Sequence, residues 1–132
     1  MKVGARDLVW SELRTWDYLI DFNQLFGEKM EYSVAYAVCY IRSDAARTGI
    51  LMKVGSDDQS KVYLNGREIY RSEAARDYLP DQDVVPGVEL RAGLNVLVFK
   101  VVNEALNWFG SVRFTDSASQ PLEGIQVTLT PP

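Results

Sequence analysis

Histidine is absent from this chain of 132 residues, and cysteine occurs once, as Cys39. Without histidine, Ser-His-Asp triads, Cys-His pairs and His-ligated zinc sites are excluded. A lone cysteine excludes an internal disulfide and any multi-cysteine metal site. Cys39 falls in an apolar, strand-like run, where a small buried side chain is expected rather than a reactive thiol. It leaves the redox compartment open, because a core of this size needs no disulfide. Positive charge is also scarce. Fourteen Lys and Arg against 18 Asp and Glu leave a formal net charge of −4, with a sequence pI near 4.8. The basic residues are scattered, so a phosphate backbone, which calls for clustered cations, is not an expected partner. No run approaches the roughly 18 apolar residues of a membrane span. The first residues, Met1 to Asp7, lack the apolar stretch of a signal peptide. A secreted parent stays open, since a domain within a longer protein carries its leader elsewhere.

The residues that are present describe an ordinary globular domain, 47% hydrophobic and 24% charged. We read residues 1–132 as a single domain, with 1–17 a weakly structured N-terminal segment in which Trp10 and Trp16 are conspicuous. The central signal is Asn65-Gly66, flanked by Lys61-Val-Tyr-Leu64 and Arg67-Glu-Ile-Tyr70. Asn-Gly tolerates positive φ at both central turn positions, the requirement of a two-residue type I′ hairpin. The hairpin follows a polar loop that carries adjacent carboxylates, Asp57 and Asp58.

From Glu31 to Arg42 the chain alternates strictly. Tyr32, Val34, Tyr36, Val38 and Tyr40 fall on one face, and Ser33, Ala35, Ala37, Cys39 and Ile41 on the other. This predicts a strand with both faces covered. A row of tyrosines also lines sugar grooves, and that meaning stays beside the core one. Tyr18 to Phe22 and Gly49 to Val54 read as strands, residues 71–87 as the longest irregular connection, and Val88 to Leu90 as a short strand. Leu94 to Asn103 is the most apolar run and the expected central strand. Lys100 interrupts one of its faces, either snorkelling to the sheet's end or pointing into an open concave face. Trp108 to Phe114 and Ile125 to Thr130 complete a count of about eight strands with turn signals roughly every 8–12 residues. No convincing amphipathic helix stands out. The expected fold is all-β, one antiparallel sandwich of jelly-roll type.

The succession Val34-Ala-Tyr36, Val54-Gly-Ser-Asp-Asp58, Lys61 to Gly66, Leu90-Arg-Ala-Gly-Leu-Asn95, Val98-Phe-Lys-Val101 and Trp108-Phe-Gly…Arg113 resembles the galactose-binding-like β-sandwich modules. These are appended to many bacterial extracellular proteins and glycan-degrading enzymes. The resemblance runs from about Tyr18 to Pro131. It implies a non-catalytic carbohydrate-binding module, linked to other domains in a secreted or extracellular parent. The alternative is a structural or protein-interaction domain packed on a catalytic neighbour, with no sugar bound. Such modules often hold a structural calcium, for which Asp57 and Asp58 are the candidate ligands, although the acidic spacing matches no EF-hand.

Sugar recognition needs an aromatic plane for the pyranose C–H face and polar groups for its hydroxyls. The candidates are Trp108, Tyr70 and Tyr78 for stacking, with Asn107, Asp57, Asp58, Arg71 and Arg76 for hydrogen bonds. For Trp108 two readings stay open, a stacking platform or a cap on the core. No cluster of acid and base groups singles out a reaction, so the chain reads as a non-enzyme.

Overall fold

A computed structural model describes residues 2–3, 6–7, 9–15 and 18–129. Its elements are β1 (Lys2–Val3), β2 (Arg6–Asp7), β3 (Leu19–Asp21), α1 (Phe22–Phe26), β4 (Ser33–Ser43), β5 (Arg47–Asp57), β6 (Ser60–Leu64), β7 (Arg67–Ser72), β8 (Asp83–Leu90), β9 (Gly93–Asn103), β10 (Phe109–Thr115) and β11 (Ile125–Thr128). The strands β1 and β2 pair only with each other. The remaining nine form two antiparallel sheets, β3-β10-β5-β8 and β11-β4-β9-β6-β7. The expected all-β sandwich is what the chain forms. Trp16 lies outside the described residues.

Leu94 to Asn103 is central, as its apolar run requires. β9 pairs with β4 from Ser33↔Asn103 to Ser43↔Gly93, and with β6 from Ser60↔Val101 to Leu64↔Leu97. Period-two alternation sends Leu97, Phe99 and Val101 inward, where they meet Met52 and Val54 of β5 and Val62 of β6 in one buried cluster. Phe22 and Trp108 plug one end of this core, their rings 5.1 Å apart. The Tyr18-to-Phe22 strand ends early. Asp21 caps a five-residue helix by accepting from Gln24 N, and Gly27 closes it with φ 74°.

The hairpin matches its prediction. Leu64 pairs with Arg67, while Asn65 and Gly66 take φ of 52° and 79°. Asn65 does more than turn the chain. Its amide Oδ1 accepts from Val96 N and its Nδ2 donates to Asn95 Oδ1, so the turn is stitched to β9. The buried Asn95 in turn donates to the carbonyls of Ile41 and Arg91.

Two expectations change. The strand expected at Val88 to Leu90 begins at Asp83, because β8 is a sheet edge, where Pro86 needs no partner for its missing N–H. Its register against β5 shifts at two points between Arg47 and Met52. The second concerns β4, which alternates as read but has only one face covered. Ala35 and Ile41 point to the core, whereas Val34 and Tyr36 are each 48% exposed. Small inward side chains on β4 leave core volume for Phe99, Phe22 and Trp108. Cys39 is partly buried against that core, and burial pushes its thiol up.

A side chain at position 66 meets nothing within 4 Å, so substitution there strains the backbone alone. Gly66→Val is expected to cost roughly 1–2 kcal/mol in urea unfolding. An unchanged midpoint would contradict the turn geometry.

Candidate functional site

The two outer faces of the sandwich are finished differently. Over the four-stranded sheet, the connection between β7 and β8 forms a strap. Tyr78 donates its hydroxyl to Ser111 Oγ at 3.0 Å, with its ring 6.0 Å from that of Phe109. Asp81 receives Nε and Nη2 of Arg113 at 2.9 and 2.6 Å. Gln82 Oε1 accepts from Ser56 N. The strap lies so close that a Cβ on Gly55 would sit 2.4 Å from the Leu79 carbonyl oxygen, which is why this position is glycine.

Arg76 anchors the strap at the sandwich edge, where β7 of one sheet faces β8 of the other. Its backbone N–H donates to Asp58 Oδ1 at 3.0 Å, and its Nε donates to the Ser56 carbonyl at 3.2 Å. Nη1 reaches Asp83 at 2.8 Å, and Nη2 reaches the Tyr70 hydroxyl at 3.1 Å. Tyr70 itself donates to Asp83. Burial and the Asp83 carboxylate push the Tyr70 phenol up, while the Tyr70 hydroxyl and Arg76 hold Asp83 below its ordinary range.

Of the predicted site residues, the structure therefore brings Tyr70 and Arg76 together with Asp58. It uses them to hold the fold's edge, and their polar atoms are occupied. Tyr78 is part of the strap, its hydroxyl given to Ser111. Arg71 is on the opposite, outer face, tied to Glu68 and Glu73. Asn107 is exposed on the turn after β9. Trp108 must be corrected as a stacking platform. It is 1% exposed, packs on Phe22 and Phe26, and donates Nε1 to the Val101 carbonyl at 3.3 Å. A buried indole offers no ring face to a sugar.

Of the two candidate calcium ligands, Asp58 gives both carboxylate oxygens to backbone donors, Oδ1 to Arg76 N and Oδ2 to Glu104 N. Among the described residues no three acidic side chains converge as a metal site. Asp57 lies beneath the strap, where burial, the adjoining Asp58 carboxylate and Asp77 push it up to about 7.

The five-stranded sheet has no comparable strap among the described residues. Its outward positions are Val34, Tyr36, Val38 and Tyr40 on β4, Val96, Val98, Lys100 and Val102 on β9, and Lys61 and Tyr63 on β6. Register places Tyr36 opposite Lys100, and sets Val38, Val98 and Tyr63 in one row across three strands. Tyr36 and Tyr40 stand about 13 Å apart along β4, and Tyr63 lies about 10 Å to the side. Lys100 places Nζ 5.7 Å from the centre of the Tyr36 ring. Among the described residues this aromatic and valine surface is an open face able to seat a ligand ring. The tyrosine alternation and the misplaced lysine were its signals in the sequence. The assumption of a covered strand hid it.

A solved structure of a family 35 carbohydrate binding module from an environmental isolate is similar to this chain. The TM-score is 0.52 at 19% sequence identity, over 79% of this chain and 78% of that one. No protein-family model and no curated protein matches the sequence. The likeness shows a shared β-sandwich fold.

The buried indole predicts that Trp108→Ala lowers stability by roughly 3–5 kcal/mol in denaturant titration. A melting temperature equal to the parent's would contradict its place in the core. Asp57 yields a pH prediction. A carboxyl raised on folding binds its proton more tightly in the native state. Its contribution is full below the unfolded value near 4 and is lost as pH rises through about 7. Asp81 and Asp83 are lowered, so they act in the opposite sense and lose stability as pH falls toward their folded values. Asp57→Asn should therefore raise the melting temperature at pH 8, with the gain shrinking by pH 5. An equal gain at both pH values would contradict the assignment.

Proposed function

We propose that this chain is a non-catalytic carbohydrate-binding module, one part of a larger bacterial extracellular protein. A polysaccharide lies across the open face of its five-stranded sheet. The observation that carries this reading is the exposed tyrosine and valine surface centred on Tyr36, on a fold shared with a carbohydrate binding module. The sheet supplies a rigid, nearly flat support, and Tyr36, Tyr40 and Tyr63 supply rings for pyranose C–H faces with hydroxyls for their oxygens. Binding there needs no catalytic group and no conformational change.

The second reading, a domain that packs on a protein neighbour, draws on a different surface. Phe26 is 52% exposed and Leu106 68% exposed at the end of the sandwich, and the Leu106 carbonyl accepts from Asn23 of α1. This apolar rim suits contact with an adjoining domain. It does not compete with the open sheet face, so both surfaces can serve one multidomain protein.

Affinity electrophoresis through gels containing individual polysaccharides tests the glycan reading. The parent should be retarded by at least one, and Tyr36→Ala should weaken that retention about tenfold through lost stacking and covered area. Because Tyr36 is half-exposed, its loss should change stability by less than about 1 kcal/mol. Retention unaltered by Tyr36→Ala would remove the open face from the site, and migration unaffected by every polysaccharide would remove the function.

A further inference from the structure

Lys100 is unused by the stacking surface. It stands in the middle of the open face with no carboxylate in ion-pair reach among the described residues, only the Tyr36 ring at 5.7 Å. On the next strand Lys61 is its direct cross-strand partner, and Arg71 is in turn the partner of Lys61. Three cations thus occupy one row across β9, β6 and β7, in a chain whose net charge is −4. Like charges directly opposite each other destabilise a sheet. Glu68 answers part of the row, at 3.4 Å from Lys61 and 3.1 Å from Arg71, and Glu73 holds Arg71 Nη1 from the rim. Neither reaches Lys100.

The same row borders a shallow hollow of about 140 Å³, lined by Lys61, Arg71, Lys100, Ser72 and Glu73. Lys100 lines the hollow and holds Nζ 5.7 Å from the centre of the Tyr36 ring, so a sugar stacked on Tyr36 can place a substituent among the cations. An ammonium is a compact charge with three rotatable donors, suited to anionic oxygens arriving from several directions. A sulfate monoester presents three terminal oxygens, which can take the unanswered Lys100 ammonium and the remaining donors of Lys61 and Arg71, whereas a carboxylate presents two in one plane. We infer that this row is a subsite for a sulfate ester on the bound polysaccharide, so that the module selects sulfated glycans. The inference rests on the open face being the glycan site.

The test compares the purified chain on a sulfated galactan, on the same galactan after desulfation, on polygalacturonate and on polyglutamate. The expected result is preferential retention by the sulfated galactan, falling several-fold between low and physiological salt. Lys100→Gln should lose about tenfold of that affinity with an unchanged or raised melting temperature, because it removes the opposition to Lys61. Equal retention by the desulfated galactan overturns the sulfate subsite and leaves the glycan reading standing. Equal or stronger binding to polygalacturonate or polyglutamate also overturns it, showing carboxylate preference or bare charge attraction. So does full retention by Lys100→Gln. Failure to bind any glycan overturns both readings together.

Discussion

The fold depends on how the buried Asp58 carboxylate is satisfied. A desolvated carboxylate is costly unless its oxygens accept hydrogen bonds. Here the two acceptances come from the backbone N–H of Arg76 and of Glu104, residues far apart in sequence. One side chain at the β5–β6 corner therefore fixes where the strap begins and where β9 ends. With Arg76 held in place, its guanidinium reaches Ser56, Asp83 and Tyr70, joining the edge strands of the two sheets. The carboxylates, tyrosine and arginine that look like binding chemistry in the sequence are spent on this closure.

That constraint separates the two outer surfaces. The strap brings Tyr78 over Ser111 and Leu79 against Gly55, so the four-stranded sheet is covered on both sides. Among the described residues the five-stranded sheet receives no equivalent; Val34 and Tyr36 are exposed, and the other outward tyrosines and valines are half-buried. An apolar surface of this breadth on a rigid sheet is the kind that soluble proteins reserve for contact. Its position and its aromatic content support the proposed glycan-binding reading.

Features decided by local chemistry were legible from the residues. Asn65-Gly66 favours the type I′ turn, and the apolar run from Leu94 to Asn103 pointed to a central strand. Features decided by non-local contacts were not. The Trp108 position beside a polar turn suits a platform and a plug equally, and only the arrival of Phe22 and Phe26 makes it a plug. The alternation of β4 assigned Tyr36 to the correct side but could not show that the described residues would leave that side half-exposed. Arg76 sits in a stretch without periodicity, so its role as the strap's anchor had no local signal. Residues 71–87 read as irregular, and an edge position with a shifted register accommodates Pro86 within β8.

The central claim is that ligand occupies the open face of the five-stranded sheet rather than the loop end. Amide chemical-shift mapping of the isotopically labelled chain, titrated with an oligosaccharide fragment of a retained polysaccharide, tests it directly. The account predicts saturable shifts along β4, β9 and β6, centred on Tyr36, Val98, Lys100 and Tyr63, with the strap unmoved. Shifts confined to residues 73–82 and 104–107, with the sheet face silent, would contradict it.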